Sequence, residues 1–477
     1  MQSRRDLYQA HRLMMQRVGL ALLQGEPDTA ESPMKRLSIG AFSGAMVALL
    51  IAGVFGIWGL LSPGGAKGLD KPGILIIEKE TGTKYIYDAN SKKMLPVANY
   101  ASALLALQSG KPERRTVSRK SLAKFERGPM IGIPDAPDSL PDPKQLIKGP
   151  WSVCVRNAKG ATGVPQNFTT LVAGRSVGGR ALGEAEALVV QSGGQPWVIW
   201  KGRKMKLGLA ADQVPTITGG TLAMEVDDTW LNAVQPARDF AAPTIPGLGR
   251  PVDWARGRGR VGQIFRADSG GGGVLWYVLL GDGRLALISD TQAQLLLRNP
   301  QTAKAYPGEQ VAFQEVDVAT ASTIKSSTQL YDQELPRTLP RFATWDTTDP
   351  LCAVFAAGSS TEASLTIGGT LPPPSGTELG AGAGGGTSVD QVVLPPGGAA
   401  LVGQAVGNGA VSSLALVSDQ GIRYALPSGE IASKLGFDPS KATPVPSSVL
   451  HLIREGPALE PRRAVTPLQI RTSAGGQ

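Results

Sequence analysis

Acid–base and metal chemistry have little to work with in this chain. Its 477 residues hold two histidines, His11 and His451, and two cysteines, Cys154 and Cys352. Neither histidine lies near a cysteine or near the other, so no metal-ligand spacing occurs and no metal is expected. The phosphate-loop signature G-x-x-x-x-G-K-[ST] is missing: Gly110-Lys111 is followed by Pro112 and lacks the upstream glycine. Gly270 to Gly273 precede a strand pattern, whereas a phosphate loop must open a helix. No cofactor is expected, and no catalytic residue is assigned. Aromatics make up only 5% of the chain against Gly 60 and Pro 36, a balance that favours short strands and turns over long helices. The net charge of +9 is spread out, with no run of five like charges after the apolar stretch described next. A nucleic-acid partner is therefore not expected.

What the sequence does have is one long stretch without charge, Leu37 to Leu61, LSIGAFSGAMVALLIAGVFGIWGLL. At about 1.5 Å of rise per residue, a helix of this length crosses a hydrocarbon core of roughly 30 Å with some tilt. A lone span in lipid must satisfy its own backbone, which leaves helix as the only state. Gly40, Gly44, Gly53, Gly56 and Gly59 would weaken it in water but are tolerated in a membrane, where small residues let a second helix approach. A buried core helix is the alternative, yet such helices rarely run this long uncharged.

The flanks set a direction. Arg4, Arg5, Arg12, Arg17, Lys35 and Arg36 precede the span, whereas Ser62 to Asp70 carries only Lys67 as positive charge. Positive charge stays inside, so the N-terminus is expected in the cytoplasm and the bulk of the chain outside. A cleavable signal peptide fits poorly, because the apolar run is too long and no A-x-A site follows. The span reads as an uncleaved anchor in the cell membrane.

Both cysteines then fall in an oxidising compartment, where an even pair implies a disulfide. Two free buried thiols are the alternative. Closing so long a loop contributes roughly 4–5 kcal/mol in the chain-entropy model.

On the inner side, Ser3 to Gly25 reads as an amphipathic helix with Leu7, Ala10, Met14, Val18 and Ala21 at three-and-four spacing. Arginines crowd its other positions. An isolated helix of this length is marginal in water, so Leu7, Met14 and Val18 are expected to meet a partner or lie on headgroups.

Outside, one grammar recurs. A hairpin around Thr81-Gly82 is followed by a turn at Asn90, then Leu95-Pro96 and the helical YASALLAL. Gly283 and Gly421 anchor similar units, with Leu95, Ile288 and Leu426 each five residues past the turn. Gly202, followed by Leu207, anchors a weaker copy with a poor helix signature. These four copies read as β-hairpin-plus-helix modules; chance likeness among Gly-rich hairpins is the alternative. The expected fold is a single-pass membrane protein whose α+β ectodomain has a central disulfide-linked domain and about four such repeats. Its expected parts are the inner helix and linker (1–36), the span (37–61) and the first repeat (62–110). The central domain follows in two segments, 111–185 and 299–410, the latter holding a Gly-rich loop at 372–387. Between those segments lie the second repeat (186–218), a linking region (219–268) and the third repeat (269–298). The fourth repeat (411–454) and a tail (455–477) complete the chain.

At this point a resemblance becomes specific. The segment from Arg4 to Arg36, RRDLYQAHRLMMQRVGLALLQGEPDTAESPMKR, resembles the inner segment of EccB, the bitopic membrane subunit of actinobacterial type VII (ESX) secretion systems. IGIPDAPDSLP (Ile131 to Pro141), WSVC (Trp151 to Cys154) and GPALEPRRA (Gly456 to Ala464) resemble it as well, in the family's order. The resemblance implies a structural subunit of a protein secretion complex, with EccC, EccD and EccE, further EccB copies and the membrane as partners. It carries the family's cysteine pair onto Cys154 and Cys352. The weak second repeat and the Gly-rich insert depart from the family pattern. Some members carry an ATPase label, so a nucleotide hydrolase is the alternative function.

Two other chemistries can be weighed. Gly174-Arg175-Ser176-Val177-Gly178 matches the G-x-S-x-G of a nucleophile elbow, but such a serine needs a strand-to-helix turn and a histidine base. A plain Gly-rich turn is the simpler reading. Asp135, Asp138 and Asp142 lie among prolines and read as a solvated loop rather than a glycosidase pair or a calcium site. A cell-wall-binding role would need exposed aromatic rows, and Trp197, Trp200, Trp276 and Tyr277 are expected in the core instead.

Overall fold

A computed structural model describes residues 3–25, 33–61, 67–109, 111–159, 165–209, 211–358, 362–373, 388–406 and 410–468. Most of the Gly-rich loop and the last nine residues lie outside this set. The chain forms two compact units, one of residues 1–69 with 117–124, the other of 70–116 with 125–477.

The first unit holds two long helices and the four-residue helix Arg119–Leu122. Helix α1, Arg4–Gln24, starts in a capping box: Ser3 Oγ accepts from Arg5 N at 3.2 Å, and the Asp6 carboxylate accepts from Ser3 N at 3.1 Å. It stops at Gly25, whose φ of 72° is the left-handed cap glycine permits. Helix α2, Pro33–Leu61, is 29 residues long, or about 43 Å at 1.5 Å per residue. Its stretch Leu37–Ile57 is long and apolar enough to cross a membrane, and none of it counts as buried. Leu37, Phe42, Leu49 and Phe55 are each at least 70% exposed, an arrangement water would penalise and lipid would not.

The second unit is a set of sheets. The central one has six strands in the order Gln391–Val393, Pro165–Ala173, Trp151–Lys159, Leu351–Phe355, Ser364–Ile367 and Arg180–Ala181. Alternation sends Val153, Leu171, Ala353 and Leu365 into the largest core, where Trp230 and Val449 meet them from short helices and Val445 from another sheet.

Four further sheets begin as three-stranded antiparallel meanders. In the first, Ile74–Glu78, Lys84–Asp88 and Lys93–Val97 are followed by the helix Tyr100–Leu107, and Glu113–Val117 then lies beside the first strand. The second uses Glu186–Ser192, Gln195–Trp200 and Arg203–Lys206; the short helix Val214–Thr218 precedes Met224–Glu225, which pairs in parallel with the first strand. The third uses Ile264–Asp268, Val274–Leu279 and Leu285–Ile288, then the helix Asp290–Arg298, then Phe313–Glu315 in parallel. The fourth uses Ala399–Val406, Ala410–Ser418 and Ile422–Leu426, then the helix Gly429–Lys434, then Thr443–Val445 in parallel. In the last three sheets another helix follows, and the chain then pairs in parallel with the third strand of the meander, through Gln235–Pro236, Lys325 and Arg454–Glu455.

These sheets differ from the expected units at their edges. The third and fourth meanders open with strands at 264 and 399, upstream of the expected starts at 269 and 411. Anchoring on the later hairpin turn hides the first strand, because a separate turn divides the two. The parallel strands of two or three residues carry no local pattern at all.

Candidate interaction surfaces and the covalent clamp

Cys154 and Cys352 face each other across the antiparallel ladder of the central sheet and are joined by a disulfide across 198 residues. Both sulfurs are fully buried. The loop they close contains the whole second and third meanders, so the bond fixes the point from which those sheets branch. Two residues on, Arg156 lies on the same face; its Nη2 donates to the Pro372 carbonyl at 2.7 Å, and burial lowers its pKa.

Helix α1 carries the expected stripe on its surface. Leu7, Met14 and Val18 are 64%, 63% and 47% exposed. Tyr8, Met15 and Leu22 are exposed beside them, and the strict seven-residue interval between these three is a signal the three-and-four reading passed over.

Two carboxylates that sequence reasoning missed, Glu186 and Asp227, hold the second sheet to the central one, and the turn glycine Gly202 packs against it. Glu186 opens the second meander. Its Oε2 accepts from Gly183 N at 3.0 Å and Arg180 Nη1 at 2.8 Å, and its Oε1 accepts from Arg341 Nη2 at 2.6 Å. The Gly183 N–H, then the Arg180 and Arg341 guanidiniums, lower its pKa to about 2. Asp227 caps the helix Asp228–Ala233 through Trp230 N at 2.9 Å and accepts from Thr169 Oγ1 of the central sheet at 2.5 Å. Burial pushes its pKa up against those bonds. Gly202 turns the second meander with φ 71°, and a Cβ there would sit 1.8 Å from the Ala363 carbonyl oxygen.

The candidate chemical sites come apart on inspection. Ser176 lies between two strands, Pro165–Ala173 and Arg180–Ala181, not before a helix. Its Oγ accepts from Gly178 N at 3.2 Å, and no hydrogen bond among the described residues joins it to His451. A nucleophile elbow is therefore not formed. Asp138 is a clamp: it accepts from Lys84 Nζ at 2.7 Å and from Tyr100 N at 3.0 Å, while Asp142 accepts from Lys144 N. Among the described residues no group of three His, Cys, Asp or Glu is placed to hold a metal. Trp276 and Tyr277 are buried, and Trp197 and Trp200 are partly buried against cores, so none of the four forms an exposed row.

Residues 2–469 match the family model described as "Type VII secretion system ESX-1, transport TM domain B". Among curated proteins, the chain is 30% identical to the ESX-3 secretion system ATPase EccB3 of Mycolicibacterium smegmatis, over 94% of this chain and 87% of that one. It is 27% identical to the ESX-2 secretion system ATPase EccB2 of Mycobacterium tuberculosis, over 96% and 93%. Among solved structures, an intact ESX-5 inner membrane complex contains a chain with a TM-score of 0.63 and 22% identity, covering all of this chain and 98% of that one. An EccB3 dimer from the ESX-3 core complex gives 0.62 and 24%, covering 82% and 99%.

Proposed function

The chain belongs to the EccB family and is a core membrane subunit of the type VII (ESX) secretion machine; from that premise we propose that it works as a non-catalytic scaffold. The observation that carries this reading is the division of the molecule itself. A single apolar helix, α2, separates one short amphipathic helix from an ectodomain built of sheets, and the described residues offer partners surfaces rather than an active centre.

In this reading the N-terminus is cytoplasmic and the ectodomain extracytoplasmic, as the Lys35-Arg36 flank argues. The Leu7, Met14 and Val18 face of α1 docks on one of the other membrane subunits, EccC, EccD or EccE. The four meander sheets are copies of one module, a βββαβ unit whose fourth strand returns beside its first. The EccB3 relative solved as a dimer supports a second copy of this chain as a further partner. ATP hydrolysis is the second reading, favoured by the names of the curated relatives and opposed by the missing phosphate-loop signature.

Affinity purification from detergent-solubilised membranes tests the proposal. The tagged chain should bring down the other ESX membrane subunits in fixed ratio, and the same chain purified alone should leave ATP intact. Recovery of the chain without those subunits, or steady ATP turnover by the chain alone, contradicts it.

A further inference from the structure

We propose that the Cys154–Cys352 bond is a redox-exchangeable clasp, reached by a thiol reductant when a thin cover over it lifts while the rest of the ectodomain stays folded. This goes beyond the scaffold role and does not depend on it. Cys154 stands opposite Cys352, Thr170 opposite Cys154, and Thr366 opposite Cys352. Directly opposed residues of antiparallel strands share a face, as do residues two apart on one strand. Thr170, Cys154, Cys352 and Thr366 therefore form one row across four strands, and Ser152 lies on the same face beside it. The opposite face, with Val153, Leu171 and Ala353, belongs to the largest core. The disulfide face carries a much smaller cluster, in which Val172, Val177 and Leu371 enclose the two cysteines.

The cover consists of two segments without regular secondary structure, residues 174–179 and 368–373. Val177 and Leu371, the latter 9% exposed, are its apolar contacts with the bond. Gly368 N donates to the Pro350 carbonyl at 3.0 Å and Thr370 N to the Val177 carbonyl at 2.7 Å. Arg156 and Gln391 donate from their side chains to the carbonyls of Pro372 and Pro373. Beneath the cover the hydroxyls of Ser152 and Thr170, both residues 0% exposed, and the buried Thr366 Oγ1 have no hydrogen-bond partner among the described residues. A hydroxyl sealed without a partner raises the free energy of the closed state, and water relieves it once the cover opens. Few apolar contacts above and unpaired hydroxyls below favour local opening here over global unfolding. In the open state a reductant thiolate attacks one cysteine sulfur, the S–S bond breaks, and the other cysteine leaves as a thiolate that takes up a proton. The second thiol of a dithiol reductant, as its thiolate, then displaces the first cysteine in the same way, and the reductant departs as a disulfide.

Dithiothreitol added to the full chain in detergent, with alkylation and mass measurement of the freed cysteines, tests this. Reduction should proceed at a rate proportional to dithiothreitol and should rise only weakly with urea, because local opening exposes little surface. Leu371→Ala, which removes the main contact of the cover, should speed it roughly tenfold or more. Thr170→Val, nearly the same shape without the hydroxyl, should slow it roughly threefold or more. Leu285→Ala, in a core of the third sheet, lowers global stability and should leave the rate unchanged. Three results overturn the proposal. Absence of reduction below the unfolding transition would show that the bond is sealed. Equal acceleration by Leu285→Ala and Leu371→Ala, with the urea slope of global unfolding, would show that only unfolding exposes it. Faster reduction of Thr170→Val would show that the hydroxyl holds the cover shut.

Discussion

At Gly202 the fold accepts a hydrogen and nothing larger. The position combines a left-handed φ of 71° with the Ala363 carbonyl oxygen 1.8 Å from where a Cβ would be. Gly202→Ala should therefore cost about 3 kcal/mol or more, since the backbone conformation alone costs about 1–3 for a residue with a Cβ. Gly193 has φ 55° and open space around it, so Gly193→Ala should lose only about 1–2 kcal/mol. Denaturant melts of the two variants check the difference, and equal losses would show that the contact with Ala363 is not tight. Glu186 makes a second prediction through pH. Its pKa is about 2 in the fold against an ordinary value of 4.5, so the folded state favours the ionised form. That stabilisation is fully present above about pH 4.5 and is lost as pH falls toward 2. The gap in melting temperature between the wild type and Glu186→Gln should narrow across that window. A gap as wide at pH 2 as at pH 5 would mean that the carboxylate charge is not its source.

At the scale of elements, what the sequence disclosed followed locality. Turn glycines at 202, 283 and 421 all adopt positive φ, as their place between apolar runs implies. The apolar run of α2 and the apolar spacing of α1 are equally local. In the first meander the left-handed turn residue is Lys92, φ 55°, rather than Asn90, a choice no glycine marks. Asp227 was silent because its partner Thr169 is 58 residues away, and of the groups that hold Glu186 the Arg341 guanidinium is 155 residues away. The exposed stripe of α1 carries the prediction of this scale. Met14, 63% exposed on the helix, would become an uncompensated carboxylate in an apolar contact, worth roughly a few kcal/mol. Met14→Glu should leave membrane insertion and ectodomain folding intact yet release the subunit from the complex and stop secretion. Co-purification of the variant at wild-type yield would place the helix on lipid instead.

At the scale of the whole molecule, the clamp between Cys154 and Cys352 joins two central-sheet strands across the loop that holds the second and third meanders, and makes that part of the ectodomain a single branching framework. Its assembly from segments far apart in the chain was legible only through the two cysteines and the ordered likeness to one family. No hydropathy pattern pairs strands at 151 and 351. The framework can scaffold a secretion machine from outside only if α2 is crossed in the direction its charges indicate. The direct measurement is labelling of intact cells with a membrane-impermeant thiol reagent, on chains carrying Ser32→Cys or Gly68→Cys. The buried, disulfide-bonded native cysteines leave the background low. The account predicts that the cysteine at 68 reacts and the one at 32 stays protected until the membrane is permeabilised. The reverse pattern would put the sheets in the cytoplasm and contradict it.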